Sequence, residues 1–207
     1  FSNPGDLITI EDTLFIGNVA GSSKGGAIRV EGDYTELVIT SSTFAGNSAE
    51  KEGGAIHIQA KISSASKRPI LFLKKSNFTN NRLLSLYTGD GGAIYTDHAS
   101  VKMEDCVFVD NKGHTAGAVA AKFGDFTSSR NIFTGNVDAG TGGSAMYIYA
   151  SSATITNSTF LANMHNGGIY GGALKIYNGA AVVSGCLFQG NKAGRMPTKN
   201  FCSAWAL

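Results

Sequence analysis

The stretch Gly25 to Ile28, "GGAI", decides how this chain is read. Taken alone it is a turn that enters a short apolar strand. The same four residues return at Gly53 and Gly91, "GGAL" stands at Gly171, and the looser forms "AGAV" at Ala116 and "GSAM" at Gly143 lie between them. A second motif, Phe-x-x-Asn, alternates with the first, at Phe15/Asn18, Phe44/Asn47, Phe78/Asn81, Phe108/Asn111, Phe133/Asn136, Phe160/Asn163 and Phe188/Asn191. Successive phenylalanines are 29, 34, 30, 25, 27 and 28 residues apart, and each interval holds one GGA-type element. Self-similarity at such a period marks a repeat architecture and takes precedence over any local reading.

Alignment on each Phe shows apolar residues seven and five positions upstream, as in Leu37/Ile39, Leu71/Leu73 and Val101/Met103, the period of a strand with one buried face. Two positions before the Phe stands a small residue that mostly can hydrogen-bond: Thr13, Ser42, Ser76, Cys106, Asn131, Ser158, Cys186. Alignment on GGA gives a second strand with inward rows Ile28, Ile56, Ile94, Val119, Met146, Leu174 and Val30, Ile58, Thr96, Ala121, Ile148, Ile176. No amphipathic helical window of ten residues exists, and a propeller blade needs about 40 residues and four strands. Two or three short strands in a coil of about 25 to 30 residues predict an all-β fold, a right-handed parallel β-helix of six to seven coils. The expected domains are a repeat domain over 1–191 and, over 192–207, a cap or the start of a further coil.

Stacking turns each motif position into a column. The phenylalanines are expected to form an internal aromatic stack, and the asparagines a chain of amides at a corner where Asn tolerates a left-handed backbone. The Gly pair permits a second corner, with the small Ala where the coil narrows. The fourteen Phe and Asn residues are therefore structural ladder positions.

The alternation of GGA-[Ile/Leu/Val] with Phe-x-x-Asn over residues 8 to 191 resembles the repeat of the chlamydial polymorphic outer membrane proteins. The resemblance implies a right-handed β-helical passenger displayed at a cell surface and acting in adhesion.

Composition narrows the function. Of 207 residues only 15% are charged, the net charge is +2, and no long block of like charge points to nucleic acid or an anionic membrane. No apolar run approaches a membrane span of about 20 residues. Cys106 and Cys186 share one row three coils apart, about 14 Å, too far for a disulfide, so free thiols are expected; Cys202 reaches Cys186 only if the tail folds back. Asn77 ("NFT") and Asn157 ("NST") are formal glycosylation sequons, and Asn157 is the better placed. The expected partners are further copies or coils joined through the solenoid ends, and a surface protein or carbohydrate.

Many parallel β-helices cleave polysaccharides, which requires carboxylates clustered on one outer face. The outward rows of the GGA strand read Arg29, His57, Tyr95, Ala120, Tyr147, Lys175 and Glu31, Gln59, Asp97, Lys122, Tyr149, Tyr177. Glu31 and Asp97 lie two coils apart, Asp97 is expected to pair with Lys122, and no second carboxylate aligns with Asp90, Asp105 or Asp110 in the next coil. The histidines, His57, His98, His114 and His165, fall at unrelated positions, mostly in loops, and no spacing suggests zinc or another cofactor. No catalytic residue is assigned; the alternative to a non-catalytic structural or adhesion protein is a carbohydrate-active enzyme. The candidate binding surface is an aromatic and basic stripe of Arg29, Tyr95, Tyr147, Tyr149, Lys175 and Tyr177. A second candidate is the long connection Arg82 to Asp90, where Leu83, Leu84, Leu86 and Tyr87 are unusually apolar for a loop.

Overall fold

Each repeat folds into four strands, two more than the period-two pattern of the longer segments displays. A computed structural model describes residues 5–61, 68–85, 87–166 and 172–193 of the chain. Coil 1 runs through Leu7–Glu11 on face A, Leu14–Ile16 on face B, Val19–Ala20 on face C and Ile28–Glu31 on face D. Faces A, B and C each carry seven parallel strands and face D six. The strands of faces B and C are too short, at three and two residues, to show alternation in sequence. Lys192–Ala193, expected to begin the cap, pairs with Met164–His165 as the seventh strand of face C. Residues 194–207, with Cys202 and the rest of the expected cap, lie outside the described residues.

Register is in step throughout. Leu37 faces Ile8 and Leu71, Phe44 faces Phe15 and Phe78, and Ile56 faces Ile28 and Ile94. The core is the sum of these rows, with Ile39, Ile58, Leu71, Met103 and Ile148 buried. The seven phenylalanines, Phe15, Phe44, Phe78, Phe108, Phe133, Phe160 and Phe188, form one column, with neighbouring ring centroids 4.6–4.9 Å apart and planes within 12° of parallel. Strand pairing imposes that separation, and burial of each ring in the apolar interior supplies most of its stabilisation.

The asparagines form the second column. Asn81 Nδ2 donates to Asn111 Oδ1 of the next coil at 3.0 Å and to the Phe44 carbonyl of the preceding coil at 2.9 Å. Its Oδ1 accepts from both the Nδ2 and the backbone N–H of Asn47. Further along, Asn136 Nδ2 donates to Asn163 Oδ1 at 2.9 Å and to the Phe108 carbonyl at 3.0 Å, and Asn163 repeats this toward Asn191 and the Phe133 carbonyl. The pattern runs from Asn18 to Asn191, so each amide ties neighbouring coils by side chain and main chain.

The expected left-handed backbone does not fall on the Asn itself, which corrects the role given to Asn18, Asn47, Asn81, Asn111, Asn136, Asn163 and Asn191. It falls one residue earlier, at Gly17, Gly46, Asn80, Asp110, Gly135, Ala162 and Gly190. The reason is burial: Asn47, Asn81, Asn111, Asn136 and Asn163 are fully enclosed, and their amides must point inward and along the stack to find partners. The residue before each Asn takes the turn and leaves the Asn free to do so.

A lesser column uses the small residues before each Phe. Thr13 and Ser42 donate their backbone N–H to Ser42 Oγ and Ser76 Oγ, and Cys106 donates to Asn131 Oδ1. Cys106 and Cys186 are free, as expected, and burial pushes the Cys106 thiol up to about 11.

The glycines of GGAI do two different things. Gly53 sits at φ 61°, in the left-handed region. Gly54 lies so close to the next coil that a Cβ there would stand 2.0 Å from the Gly92 carbonyl oxygen. In coil 5, Ser144 takes this place; the residue before it, Gly143, leaves the left-handed region, and the serine hydroxyl bonds the Gly172 carbonyl at 3.1 Å.

Two substitutions test these columns and the fit of the core around them. Asn111→Ala strands the Asn81 backbone N–H and one of the two Asn81 Nδ2 hydrogens in the interior, takes from the Phe78 carbonyl its side-chain partner, and is expected to cost about 3 kcal/mol or more, at roughly 1–3 kcal/mol per orphaned group. Thr96→Val removes a buried hydroxyl that has no partner and is expected to raise stability by up to about 1 kcal/mol. Urea unfolding followed by circular dichroism reads both, and a neutral Asn111→Ala would show that the amide column does not hold the coils together.

Candidate functional site

Face D places the predicted stripe in register, but its residues fall into three unlike environments. Arg29 is exposed and turned to its own coil, with its guanidinium 2.5 Å from Glu31 Oε1 and 2.9 Å from Ser23 Oγ. Burial opposes ionisation of Glu31, yet the Arg29 hydrogen bond and charge hold its carboxyl below the usual range. Four coils, about 19 Å, separate Arg29 from Tyr147, so it belongs to no common patch with the tyrosines.

The second environment is enclosed. The segments that enter the Gly corners of coils 2 and 3 cover the first outward row there, and Glu52 bridges to Asp90 in parallel register. His57 is fully buried and Tyr95 is 4% exposed, so Tyr95 is no open binding residue. Glu52 lies 2.9 Å from Lys24 Nζ and 3.2 Å from His57 Nε2. Burial works against its charge, but those hydrogen bonds prevail and its carboxyl drops to about 2. Lys122 does not reach for Asp97; its Nζ lies 2.5 Å from Asp90 Oδ2 and 5.7 Å over the Tyr95 ring. Asp97 instead accepts from Gln59 Nε2 at 3.1 Å and lies 2.7 Å from His98 Nδ1. Glu52, in the preceding coil, is thus the carboxylate aligned with Asp90; the sequence reading looked only to the next coil, and this pairing is made by connecting segments outside the strands.

The third environment is the aromatic ledge of coils 3 to 6. Tyr149 stacks on Tyr177 at 5.6 Å, lies 6.3 Å from Tyr147 and meets Phe123 edge to face at 5.1 Å; His98 stacks on Phe123 at 4.7 Å. Lys175 Nζ lies 5.6 Å from the Tyr147 ring centre and 5.9 Å from that of Tyr177, and bonds the Thr141 carbonyl. Burial lowers the Lys175 ammonium from its usual range and raises the Tyr147 phenol to about 12. Most ring faces are taken up by other rings or by Lys175. Tyr147 and Tyr149 are half-buried, Phe123 is at the edge of exposure, and Tyr177 is 57% exposed. Phe123 and His98 join the ledge from the corner after face D, both at positive φ, where no strand period could place them.

Other predicted features are dispersed. Tyr87 is 88% exposed and Leu84 is exposed, but Leu83 is a core residue of face C, not a loop residue; Leu86 lies outside the described residues. Two histidines occupy strands, His57 on face D and His165 on face C, against the loop placement expected for most of them. His165 is buried with Asp138, Nδ1 to Oδ1 2.7 Å, and burial raises the Asp138 carboxyl despite that contact. Asn77 and Asn157 are both exposed. Among the described residues no group of three or more His, Cys, Asp or Glu side chains is arranged to hold a metal ion, and no helix is long and apolar enough to cross a membrane.

Columns inside and unlike patches outside define a parallel β-solenoid whose outer surface carries the variation. The family model described as "right handed beta helix region" matches residues 2–170, and the chain belongs to that family. It is 31% identical over 166 residues to a protein titled "Probable autotransporter YfaL" from Escherichia coli (strain K12), a match that covers 78% of this chain and 12% of that protein. The chain thus matches about an eighth of the relative's length. No solved structure matches it.

The Lys122–Asp90 contact is testable. Lys122→Met leaves a nearly buried carboxylate without its cation and is expected to cost about 1–3 kcal/mol, and Asp90→Asn in the same chain is expected to restore part of it. Denaturation of both variants reads the difference, and additive losses would show that the contact stabilises nothing.

Proposed function

We propose that this chain is a non-catalytic stretch of surface-displayed β-helix, a stiff scaffold in adhesion whose recognition surface is the aromatic ledge, and that the ledge takes a saccharide. One observation carries the reading: on an otherwise regular rod, Phe123, Tyr147, Tyr149, Tyr177 and Lys175 converge on one outer patch. Phenol oxygens donate and accept toward sugar hydroxyls, and Tyr177 offers a ring face to sugar C–H groups. The GGA and Phe-x-x-Asn alternation supports a passenger of the polymorphic outer membrane type, and the relative titled an autotransporter supports display outside the cell.

The face D carboxylates lend the enzyme alternative little. Glu31 is tied to Arg29, Asp97 to Gln59 and His98, and the register pair Glu52 and Asp90 is closed by Lys24 and Lys122. A hydrolase needs two carboxylates facing one open groove, with one free to hold a proton.

Binding of the purified chain to immobilised glycans tests the proposal. Tyr177→Ala and Tyr149→Ala are expected to weaken binding at least tenfold, about 1.4 kcal/mol, while Tyr95→Phe leaves it unchanged because Tyr95 lies under cover. Full binding by both ledge variants would move recognition elsewhere on the rod. The exposed sequons at Asn157 and Asn77 are expected to be loaded on passage through a eukaryotic secretory pathway. Peptide mapping after enzymatic deglycosylation reads this, and unmodified peptides would remove glycosylation from the reading.

A further inference from the structure

Outward residues of a β-helix ordinarily meet water, yet His57 does not. The segments entering the Gly corners of coils 1 to 3 form a roof over it, stitched together by Gly25 N–H to the Glu52 carbonyl, Lys51 N–H to the Ser23 carbonyl and Gly53 N–H to the Asp90 carbonyl. Beneath, the imidazole stacks on Tyr95 at 5.4 Å and places Nε2 3.2 Å from Glu52 Oε2. Its Nδ1 is buried and has no partner.

That geometry accepts one protonation state. In the neutral ring with its hydrogen on Nε2, Glu52 accepts the bond and Nδ1 is left as an unpaired acceptor, a modest cost. The imidazolium would add an N–H at Nδ1 with nothing to receive it, and a charge where water is excluded. The charges around it do not settle in its favour. Glu52 on its own corner and Glu31 on the neighbouring strand attract a cation, while Lys24 of the preceding corner and Arg29 beside it repel one. Tyr95 covers the remaining side, with Asp90 beyond it already engaged by Lys122.

We propose that the roof over His57 is an acid-opened flap: protonation of the imidazole lifts the segment carrying Glu52 from face D and uncovers His57 and Tyr95. The proton comes from solvent and no covalent bond changes. Burial, set against the Glu52 hydrogen bond, keeps the closed ring below its ordinary range, whereas the ring in the open flap titrates near 6.5. The open form therefore binds the proton first, and its population grows as pH falls from about 6.5, by up to tenfold per pH unit until the closed ring also titrates. Loss of the Glu52 charge weakens the closed form further only below its ordinary value of 4.5. The device stands on the roof alone and does not depend on what the ledge binds.

Hydrogen exchange of the whole chain at pH 7.5 and pH 5.0, expressed as protection factors, tests it. Peptides spanning Glu50–Ile56 are expected to lose protection tenfold or more at pH 5.0, while those spanning Ser76–Asn81 in the amide column keep theirs. His57→Gln is expected to abolish the difference. A loss of equal size in His57→Gln, or one shared by the whole rod, overturns the proposal. A second readout needs no variant: the His57 ring signal followed by NMR is expected to titrate in step with the loss of protection. Titration without opening, or opening without titration, overturns the proposal as well.

Discussion

The structure depends on one side-chain amide used seven times. A parallel stack of short strands is bound by main-chain hydrogen bonds only where strands exist, and between faces B and C the chain must turn within two or three residues. Asn at that corner supplies the missing bonds, since Oδ1 accepts from the coil on one side while Nδ2 donates to coils on both. With the corner fixed, the Phe three residues upstream lies in register with its neighbours, and the aromatic column follows. The apolar rows of faces A and D then fill the prism, because their register is already set.

What the sequence discloses is what repeats. Phe78 and Asn81 could be placed inside from their spacing alone, as could Ile56, Leu71 and Met103, because a solenoid converts periodicity directly into depth. Three kinds of feature escaped. The two-residue strands, such as Arg82–Leu83, are too short for any period, and Leu83 therefore read as loop. The left-handed corner residue varies among Gly, Asn, Asp and Ala, so its role was credited to the recurring Asn beside it, as at Gly135 before Asn136 and Ala162 before Asn163. The cover over His57 and Tyr95 comes from connecting segments of unequal length, where alternation says which side a residue takes but not whether that side is roofed.

The same outer row thus has two fates along one rod. In coils 2 and 3 the covering segments bring carboxylates, and charged pairs form against His57, Tyr95 and Lys122. In coil 4 the row shrinks to Ala120, packed by Ala116 and Tyr95. Beyond it the rings spread outward into the ledge, joined by Phe123 and His98 from the corners after face D. The transition needs no change in the core, since Ile94, Val119 and Met146 continue the inward row beneath it without a break. This separation of interior from exterior lets one scaffold carry unrelated surfaces.

The amide column also has a direction. In every link from Asn18 to Asn191 the oxygen belongs to the later coil and the paired donors to the earlier one. Each finished coil therefore presents two N–H groups to the chain that follows, and the next Asn is captured after no more than 34 residues. Assembly can proceed as a zipper closed from one end, each step short in sequence and templated by the last, so the span of chain that each step must close stays the same however long the rod.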